Sequence, residues 1–408
     1  MADACTPGPS TDAPKFIKNA VPEIPRYLED ACELLRTSDY YTLSLLKLLL
    51  CDGATGYGVS FTSSSVLVDD IVSDDKTVFT VYPFLEIFGK GYELLLDFFK
   101  VGVKPSNEKE RKVLEKLTTF LAKIEEAELG LSAGVNPSKL AENDWMARLS
   151  VHVLSKLFVG EDYRLDSHCS KNLMQCPCPC KTALKYGVTS IGNPKTYYGR
   201  LDVIVGRFER KAVKAGAVGA CEVHDTDSSD VIDEQDDLVD ASNVEVKVST
   251  LSSHMSQLLS QAIVFSFYLH KCNSEATFVP TIGISKESIQ VHFYDSERDI
   301  YLMSREMRLF KRGTKELHLP TIVALWLVLN YSDLMTEATC EMQQEERFGF
   351  HTFSGQSTLQ RYKRDIKLRP LDREPARYED KVLSRSHIFR KRSSEAERVF
   401  QKYKKYSA

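Results

Sequence analysis

A short apolar strand followed at once by a long apolar helix is the feature that most constrains the fold of this chain. In the stretch "NVEVKVSTLSSHMSQLLSQAIVFSFYLHK", which covers residues 243–271, valines alternate with Glu245 and Lys247. Alternate side chains of a strand share one face, so the acid and the base point together while the valines fill the opposite face. The pattern predicts a sheet covered by a helix, with a carboxylate and an ammonium group side by side on that sheet.

The remaining patterns complete an α/β protein, with a central mixed β-sheet flanked by helices and with helical additions at both ends. "TYYGRLDVIVGRFE" is typical of a strand, and "TFVPTIGI", "SIQVHFYD" and "DIYLMS" are typical of a three-stranded meander. "NEKERKVLEKLTTFLAKIEEAELG" carries one apolar stripe, and Asn107 and Glu110 form a capping box at its start. This stretch is the clearest predicted helix.

Four regions follow from these patterns. Residues 1–15 are predicted to be a disordered tail, and residues 16–134 a mostly helical region. Residues 135–310 carry the predicted sheet, which an acidic insertion interrupts at 211–241. Residues 311–408 are predicted to form a helical, basic extension.

Charge and cysteine content limit the kinds of partner and the cellular compartment to be expected. The formal net charge is −4, yet from Arg361 to the C-terminus there are 16 Lys and Arg against 7 Asp and Glu. A basic end of this kind favours sequence-independent contacts with nucleic-acid phosphates. The first residues lack the apolar core of a signal peptide, and no apolar run is long enough to span a bilayer. Ten cysteines without such a signal predict free thiols in a reducing compartment. We therefore expect an intracellular protein of the nucleus or cytoplasm with no membrane contact, and its oligomeric state stays open.

The position of Asp202 indicates that Glu245 and Lys247 belong to a metal-binding site. Taken alone, the pair is more typical of an edge strand whose charged face meets water. Asp202, however, interrupts another apolar strand with a lone carboxylate, 43 residues upstream of Glu245. Two carboxylates on neighbouring strands suit Mg²⁺, which takes one or two of them and keeps water for a substrate phosphate. A lysine beside such a metal can orient a water and stabilise the charge that develops on a phosphate under attack.

The order of these residues resembles the motif of the PD-(D/E)XK nuclease superfamily, with an aspartate, then Glu-x-Lys, then a helix with glutamines. The resemblance covers roughly residues 135–308, and Leu201 stands where the family has a proline before the aspartate. It implies that Asp202, Glu245 and the main-chain carbonyl of Val246 bind Mg²⁺, or Mn²⁺ in its place. It also implies that Lys247 positions the attacking water.

The resemblance implies supporting residues and an activity as well. Gln261 is the first candidate for the supporting helix glutamine and Gln257 the second; alternatively, each faces solvent on an amphipathic helix. Glu142, three residues before Trp145, matches the acid that many members carry on the first core helix, or is a helix-start residue favoured by the dipole. The implied activity is metal-dependent hydrolysis of phosphodiester bonds in nucleic acid, with DNA as the first expectation. The alternative is a nuclease-like module that binds nucleic acid or a protein partner without cutting.

A cysteine-rich segment, "HCSKNLMQCPCPC", is a second place where a metal can bind. His168, Cys169, Cys176, Cys178 and Cys180 offer ligands for zinc or an iron–sulfur cluster. Because the C-x-C-x-C pattern with its prolines departs from the usual zinc spacing, reduced thiols are the expectation and a bound metal is the open alternative. Four further histidines have no partner pattern and are expected to be ordinary core or surface residues, namely His152, His254, His270 and His292.

Overall fold

The computed structural model of the protein describes residues 24–369, apart from positions 39, 52–60, 62–63, 69, 74–75, 80, 102–104, 135–139, 171–172, 210–236 and 337–346. The described residues belong to one compact unit. The predicted tail, most of the predicted acidic insertion and the basic end beyond residue 369 lie outside the described residues.

The helices of the described residues flank one large sheet. In chain order they are α1 (Ile24–Thr37), α2 (Phe84–Ile87), α3 (Gly89–Val101), α4 (Glu108–Ala122), α5 (Ile124–Ser132), α6 (Glu142–Leu149), α7 (Ser155–Leu157), α8 (Met255–Cys272), α9 (Leu319–Leu329), α10 (Tyr331–Leu334) and α11 (Phe350–Asp365). A π-helical turn, Ser150–Leu154, joins α6 to α7, and 3-10 turns occupy Ser167–Cys169 and Leu251–His254.

The strands come from both halves of the chain. They are β1 (Thr42–Leu50), β2 (Ser65–Val68), β3 (Asp70–Ser73), β4 (Lys76–Phe79), β5 (Val81–Pro83), β6 (Tyr163–Asp166), β7 (Tyr186–Gly187), β8 (Ser190–Gly192), β9 (Tyr198–Arg200), β10 (Val203–Glu209), β11 (Asp237–Val246), β12 (Val279–Ile284), β13 (Ser288–Asp295), β14 (Ile300–Ser304), β15 (Met307–Arg308) and β16 (Lys367–Leu368).

The main sheet is mixed, in the order β2-β1-β14-β13-β12-β11-β10-β6-β7, with β5 paired to β1 and β15 to β13. Strands β11 and β12 run parallel, as do β6 and β7, while the other pairs are antiparallel. The predicted class, α/β with a mixed sheet flanked by helices, is confirmed, and so is the predicted meander of β12, β13 and β14.

Strand β11 lies inside the main sheet, and helix α8 packs on it. The strand lies between β10 and β12, and Val244 and Val246 are fully buried. Because β11 and β12 are parallel, the chain needs a crossover between them, and α8 supplies it. Residues 258–269 of α8 are all buried, since the helix packs on β11, β12 and β13 and is covered by α11.

The N-terminal region, predicted to be mostly helical over residues 16–134, also contains strands where the structure describes it. It contains helices, and α4 starts at the predicted cap, where Asn107 accepts a hydrogen bond from the amide of Lys109 at 2.9 Å. It also contains β1, whose leucine-rich sequence "TLSLLKLLL" is itself compatible with a helix. Pairing with β14 decides its conformation and buries Leu43 and Leu45 in the core, which is a case of tertiary context overriding local preference.

Where it is described, the predicted C-terminal extension is mainly helical, with the short strand β16 near its end, and is part of the compact unit. Helix α9 begins with Pro320 among its first residues and is buried along its length against α1, α7 and β11. None of the described helices is both long enough and apolar enough to cross a membrane.

Candidate active site

Glu245 lies inside the sheet and Lys247 directly follows the end of β11. The side chain of Glu245 is fully buried and that of Lys247 is 7% exposed. The interpretation of this pair as an exposed edge-strand pair is therefore wrong, because β11 is an internal strand. A buried carboxylate is costly unless charged and hydrogen-bonded partners surround it, and the neighbouring elements supply them.

Asp202 approaches the same point from the neighbouring strand. The predicted single strand "TYYGRLDVIVGRFE" is in fact two: β9 belongs to a three-stranded sheet with β8, β10 belongs to the main sheet, and Asp202 lies in the bend between them. The register pairs Val203 with Val244, which brings Asp202 level with the end of β11. Its Oδ2 accepts a hydrogen bond from the amide of Val246 at 2.8 Å.

Lys247 joins three carboxylates. Its Nζ lies 3.5 Å from Oδ2 of Asp202, forms an ion pair with Glu245, and lies 3.2 Å from Oε1 of Glu142. Glu142 is the first residue of α6, so the acid predicted on the first core helix does reach the site. Glu142 and Asp202 remain 40% and 25% exposed, which makes their side of the cluster the one open to solvent.

Both predicted glutamines contact Glu245. They lie four residues apart and therefore on one face of α8. Nε2 of Gln261 donates to Oε2 of Glu245 at 2.5 Å, and Nε2 of Gln257 donates to Oε1. Gln261 is held more firmly, because its Nε2 also donates to the carbonyl of Arg200 and its Oε1 accepts from Asn243, each at 3.2 Å.

Gly283 lets α8 come close enough for these contacts. It is the residue of β12 that pairs with Glu245. A Cβ at this position would lie 3.0 Å from both δ-carbons of Leu258 and 3.3 Å from a δ-carbon of Leu251. A side chain here would therefore press on the helix that carries both glutamines.

Negative charge exceeds positive charge in the group formed by Glu142, Asp202, Glu245 and Lys247, which we call the carboxylate cluster. Burial, joined by the charge of Asp202, raises the pKa of Glu245 to about 8. Burial also raises the pKa of Asp202. Burial alone would lower the pKa of Lys247, but the charges of Glu245 and Asp202 outweigh it and raise that pKa instead.

The donor set fits a divalent cation. With every group ionised, three carboxylates and one ammonium leave a formal charge of −2 in a largely buried cluster. Each carboxylate oxygen has more than one lone pair, so the hydrogen bonds present do not use up the ligand capacity of Asp202 or Glu245. Hard oxygen donors around a negative site are what Mg²⁺ and Mn²⁺ prefer.

Two residues near the site had no distinguishing sequence signal. Asn243, two positions before Glu245, also contacts Thr281 at 3.4 Å and so ties Gln261 to β12. Ring Nε2 of His254, at the start of α8, lies 2.7 Å from Oγ of Ser249. Burial lowers the pKa of His254, and the charge of Lys247 lowers it further.

The cysteine-rich segment forms a separate cluster, which contains three of the five predicted ligands and one histidine that was not among them. Ligand atoms of His152, Cys176, Cys178 and Cys180 all lie within 4.8 Å of one another, and we call this group the histidine–cysteine cluster. It can hold a metal ion, so the geometry supports the open alternative over simple reduced thiols.

The other two predicted ligands lie elsewhere. Cys169 contacts Asn143 at 3.4 Å, and His168 is paired with Asp166 at 3.0 Å. No sequence signal pointed to His152, because it lies in a helical segment 24 residues before the first cysteine of the cluster.

Comparison with known proteins adds no relative: no protein-family model, no curated protein and no solved structure matches this chain. Functional inference therefore rests on the geometry of the two clusters.

Proposed function

We propose that this protein hydrolyses phosphodiester bonds of nucleic acid, DNA in the first place, with a site of the PD-(D/E)XK type that uses Mg²⁺ or Mn²⁺. One observation carries the proposal. Asp202, Glu245 and Glu142 surround Lys247 at the end of an internal strand, and Gln257 and Gln261 hold the buried acid. A purely structural role does not account for the cost of burying this many charges.

Each residue has a distinct role in the proposal. Asp202 and Glu245, with the carbonyl of Val246, would hold the metal, which when bound polarises a phosphate oxygen and lowers the pKa of a water. Lys247 orients the attacking water and stabilises negative charge on the phosphate. Gln261 fixes the direction of the Glu245 carboxylate, because its amide is itself held by Arg200 and Asn243.

A cleft near the end of β11 has side chains that suit the phosphate backbone of a nucleic acid. A cleft of about 400 Å³ lies beyond the end of β11, beside Ser249 and Thr250. Lys286 and Arg308 line it, and two glutamates, Glu287 and Glu306, line it as well. Backbone phosphates of a nucleic acid can meet cations and hydroxyls here, and the lining includes Val248, the residue that follows Lys247.

The test is cleavage of labelled single- and double-stranded DNA and RNA by the full chain in Mg²⁺, Mn²⁺ and EDTA. We expect metal-dependent cleavage that Asp202→Asn and Glu245→Gln abolish. Lys247→Met should lose roughly 10²–10³-fold in rate, as expected for loss of one charge-stabilising group. Matched controls come from the exposed ion pair of Lys311 and Glu316, 2.8 Å apart: Lys311→Met and Glu316→Gln should cleave normally.

One outcome rejects the enzyme. If the wild-type protein binds nucleic acid but cleaves no faster than Asp202→Asn in any metal, the non-cutting binding module replaces it.

A further inference from the structure

The histidine–cysteine cluster lies apart from the carboxylate cluster and plays no part in the proposed hydrolysis. We propose that it is a closed structural Zn²⁺ site, with three thiolates and one imidazole as ligands. The proposal does not depend on nuclease activity.

The ligand atoms have nearly the spacing that zinc requires. In a tetrahedral site, Zn–S bonds of about 2.3 Å and Zn–N bonds of about 2.0 Å set the N–S separations at about 3.5 Å and the S–S separations at about 3.8 Å. Nε2 of His152 lies 3.1 Å from Sγ of Cys178, 3.7 Å from Sγ of Cys176 and 3.6 Å from Sγ of Cys180. Sγ of Cys178 lies 3.4 Å from that of Cys176 and 2.9 Å from that of Cys180. Sγ of Cys178 needs to move away from each of the other two sulfurs by less than about 1 Å to accept the ion, and all four ligand atoms already lie within 4.8 Å of one another.

A short turn brings the three sulfurs together. Gln175 and Ala183 form an antiparallel bridge, and the amide of Cys176 donates to the carbonyl of Thr182 at 2.8 Å. The three cysteines thus lie at the tip of a closed turn, where intervening prolines restrict the backbone. Oγ1 of Thr182 donates to Sγ of Cys180 at 3.3 Å, and donors of this kind favour the thiolate that binds zinc.

His152 is placed by the π-helical turn and by a glycine. The turn at Ser150–Leu154 shifts the helical register at the residue that meets the cysteines, and such turns are often found at functional sites. The ring lies so close to Gly130 of α5 that a Cβ at this glycine would collide with Nδ1. Arg148 fixes this contact, because its Nη1 donates to the carbonyl of Gly130 at 2.6 Å.

The donor chemistry selects the ion. Thiolates with an imidazole favour zinc over Mg²⁺ or Ca²⁺. An iron–sulfur cluster spreads its ligands over several irons, whereas these four atoms all lie within 4.8 Å of one another, close enough to share one ion. Four protein ligands fill a tetrahedral shell and leave no position for a reacting water, so the role is structural. The ion would tie the helix that carries Glu142 to the segment between β6 and β7.

Metal content is the direct test. The full chain, purified with reductant from zinc-supplemented cells, should carry about one Zn²⁺ per chain by mass spectrometry. Exchange for Co²⁺ should produce the sulfur-to-cobalt charge-transfer band and the visible bands of a tetrahedral site. Cys178→Ser and His152→Ala should lose both signals, whereas Cys169→Ser, a cysteine outside the cluster, and Asp202→Asn should keep them.

Gly130→Ala is a second test in case the substitutions of ligand residues prevent folding. It retains all four ligands but displaces the ring of His152, so zinc should bind roughly 10–100-fold more weakly, as for loss of a group that orients a ligand. The proposal is overturned if the wild-type protein carries almost no zinc and gives no cobalt band. It is overturned equally if His152→Ala, or Gly130→Ala at limiting metal, behaves like the wild type.

Discussion

Replacing Glu245 with glutamine should stabilise the metal-free protein in a manner that depends on pH. The change keeps the shape of the side chain but removes a fully buried charge. The pKa of Glu245 is raised to about 8 in the folded protein, against a reference value of 4.5. The folded state therefore binds more protons than the unfolded state between these two values, and the stability of the wild type falls as pH rises through that window.

The size of the effect follows from linkage. Between about pH 5 and about pH 8 the wild type should lose about 3 kcal/mol of unfolding free energy relative to Glu245→Gln. Any part of the stability change that does not depend on pH, including part of the effect of removing the ion pair with Lys247, cancels when the two pH values are compared. Relief of repulsion on Asp202, whose pKa burial also raises, acts in the same direction.

The assay is urea unfolding of both proteins in EDTA at the two pH values, followed by titration with Mg²⁺ at the higher one. Mg²⁺ should stabilise the wild type and leave Glu245→Gln unchanged, because binding adds stability only to a state that binds the ion. Parallel stability profiles for the two proteins across this range would refute the reasoning, and equal stabilisation by Mg²⁺ would remove Glu245 from the metal site.

Three further outcomes follow from the packing around the site. Gly283→Val should lower the unfolding free energy by about 1–3 kcal/mol through overpacking against Leu258, which denaturant unfolding measures; an unchanged midpoint would contradict the close approach of α8. Gln261→Leu should reduce cleavage more than Gln257→Leu, because only Gln261 is also held by Asn243, and equal rates would contradict this ranking. Burial lowers the pKa of His292 to about 3 in the folded protein, whereas in the unfolded chain it is about 6.5. The unfolded state therefore binds a proton as pH falls below about 6.5 while the folded state does not, and the free energy of unfolding decreases. Denaturant unfolding at about pH 7 and about pH 5 should show that the unfolding free energy of the wild type falls by about 2 kcal/mol more than that of His292→Gln. Equal decreases in the two proteins would contradict the burial argument.

The carboxylate cluster could be predicted from local sequence because its residues are tied to regular elements. Alternation along β11 placed Glu245 and Lys247 on one face, and the interval of four on α8 placed Gln257 and Gln261 on another. Asp202 stood out as a carboxylate among apolar residues. The sequence did not determine how deeply Glu245 is buried, because an edge strand and an internal strand can show the same alternation. The pairing of β11 with both β10 and β12 is what buries Glu245.

Two other features were decided by the tertiary structure alone. The leucine-rich segment of β1 is compatible with a helix until β14 offers it a partner, because strand pairing depends on residues distant in sequence. His152 is likewise an ordinary helical residue in the sequence. It meets Cys176, Cys178 and Cys180 only because the π-helical turn and Gly130 direct its ring toward the turn that those cysteines form. Periodicity determined the elements and their faces, whereas contacts between distant segments determined burial and ligand geometry, since neither leaves a local pattern in the chain.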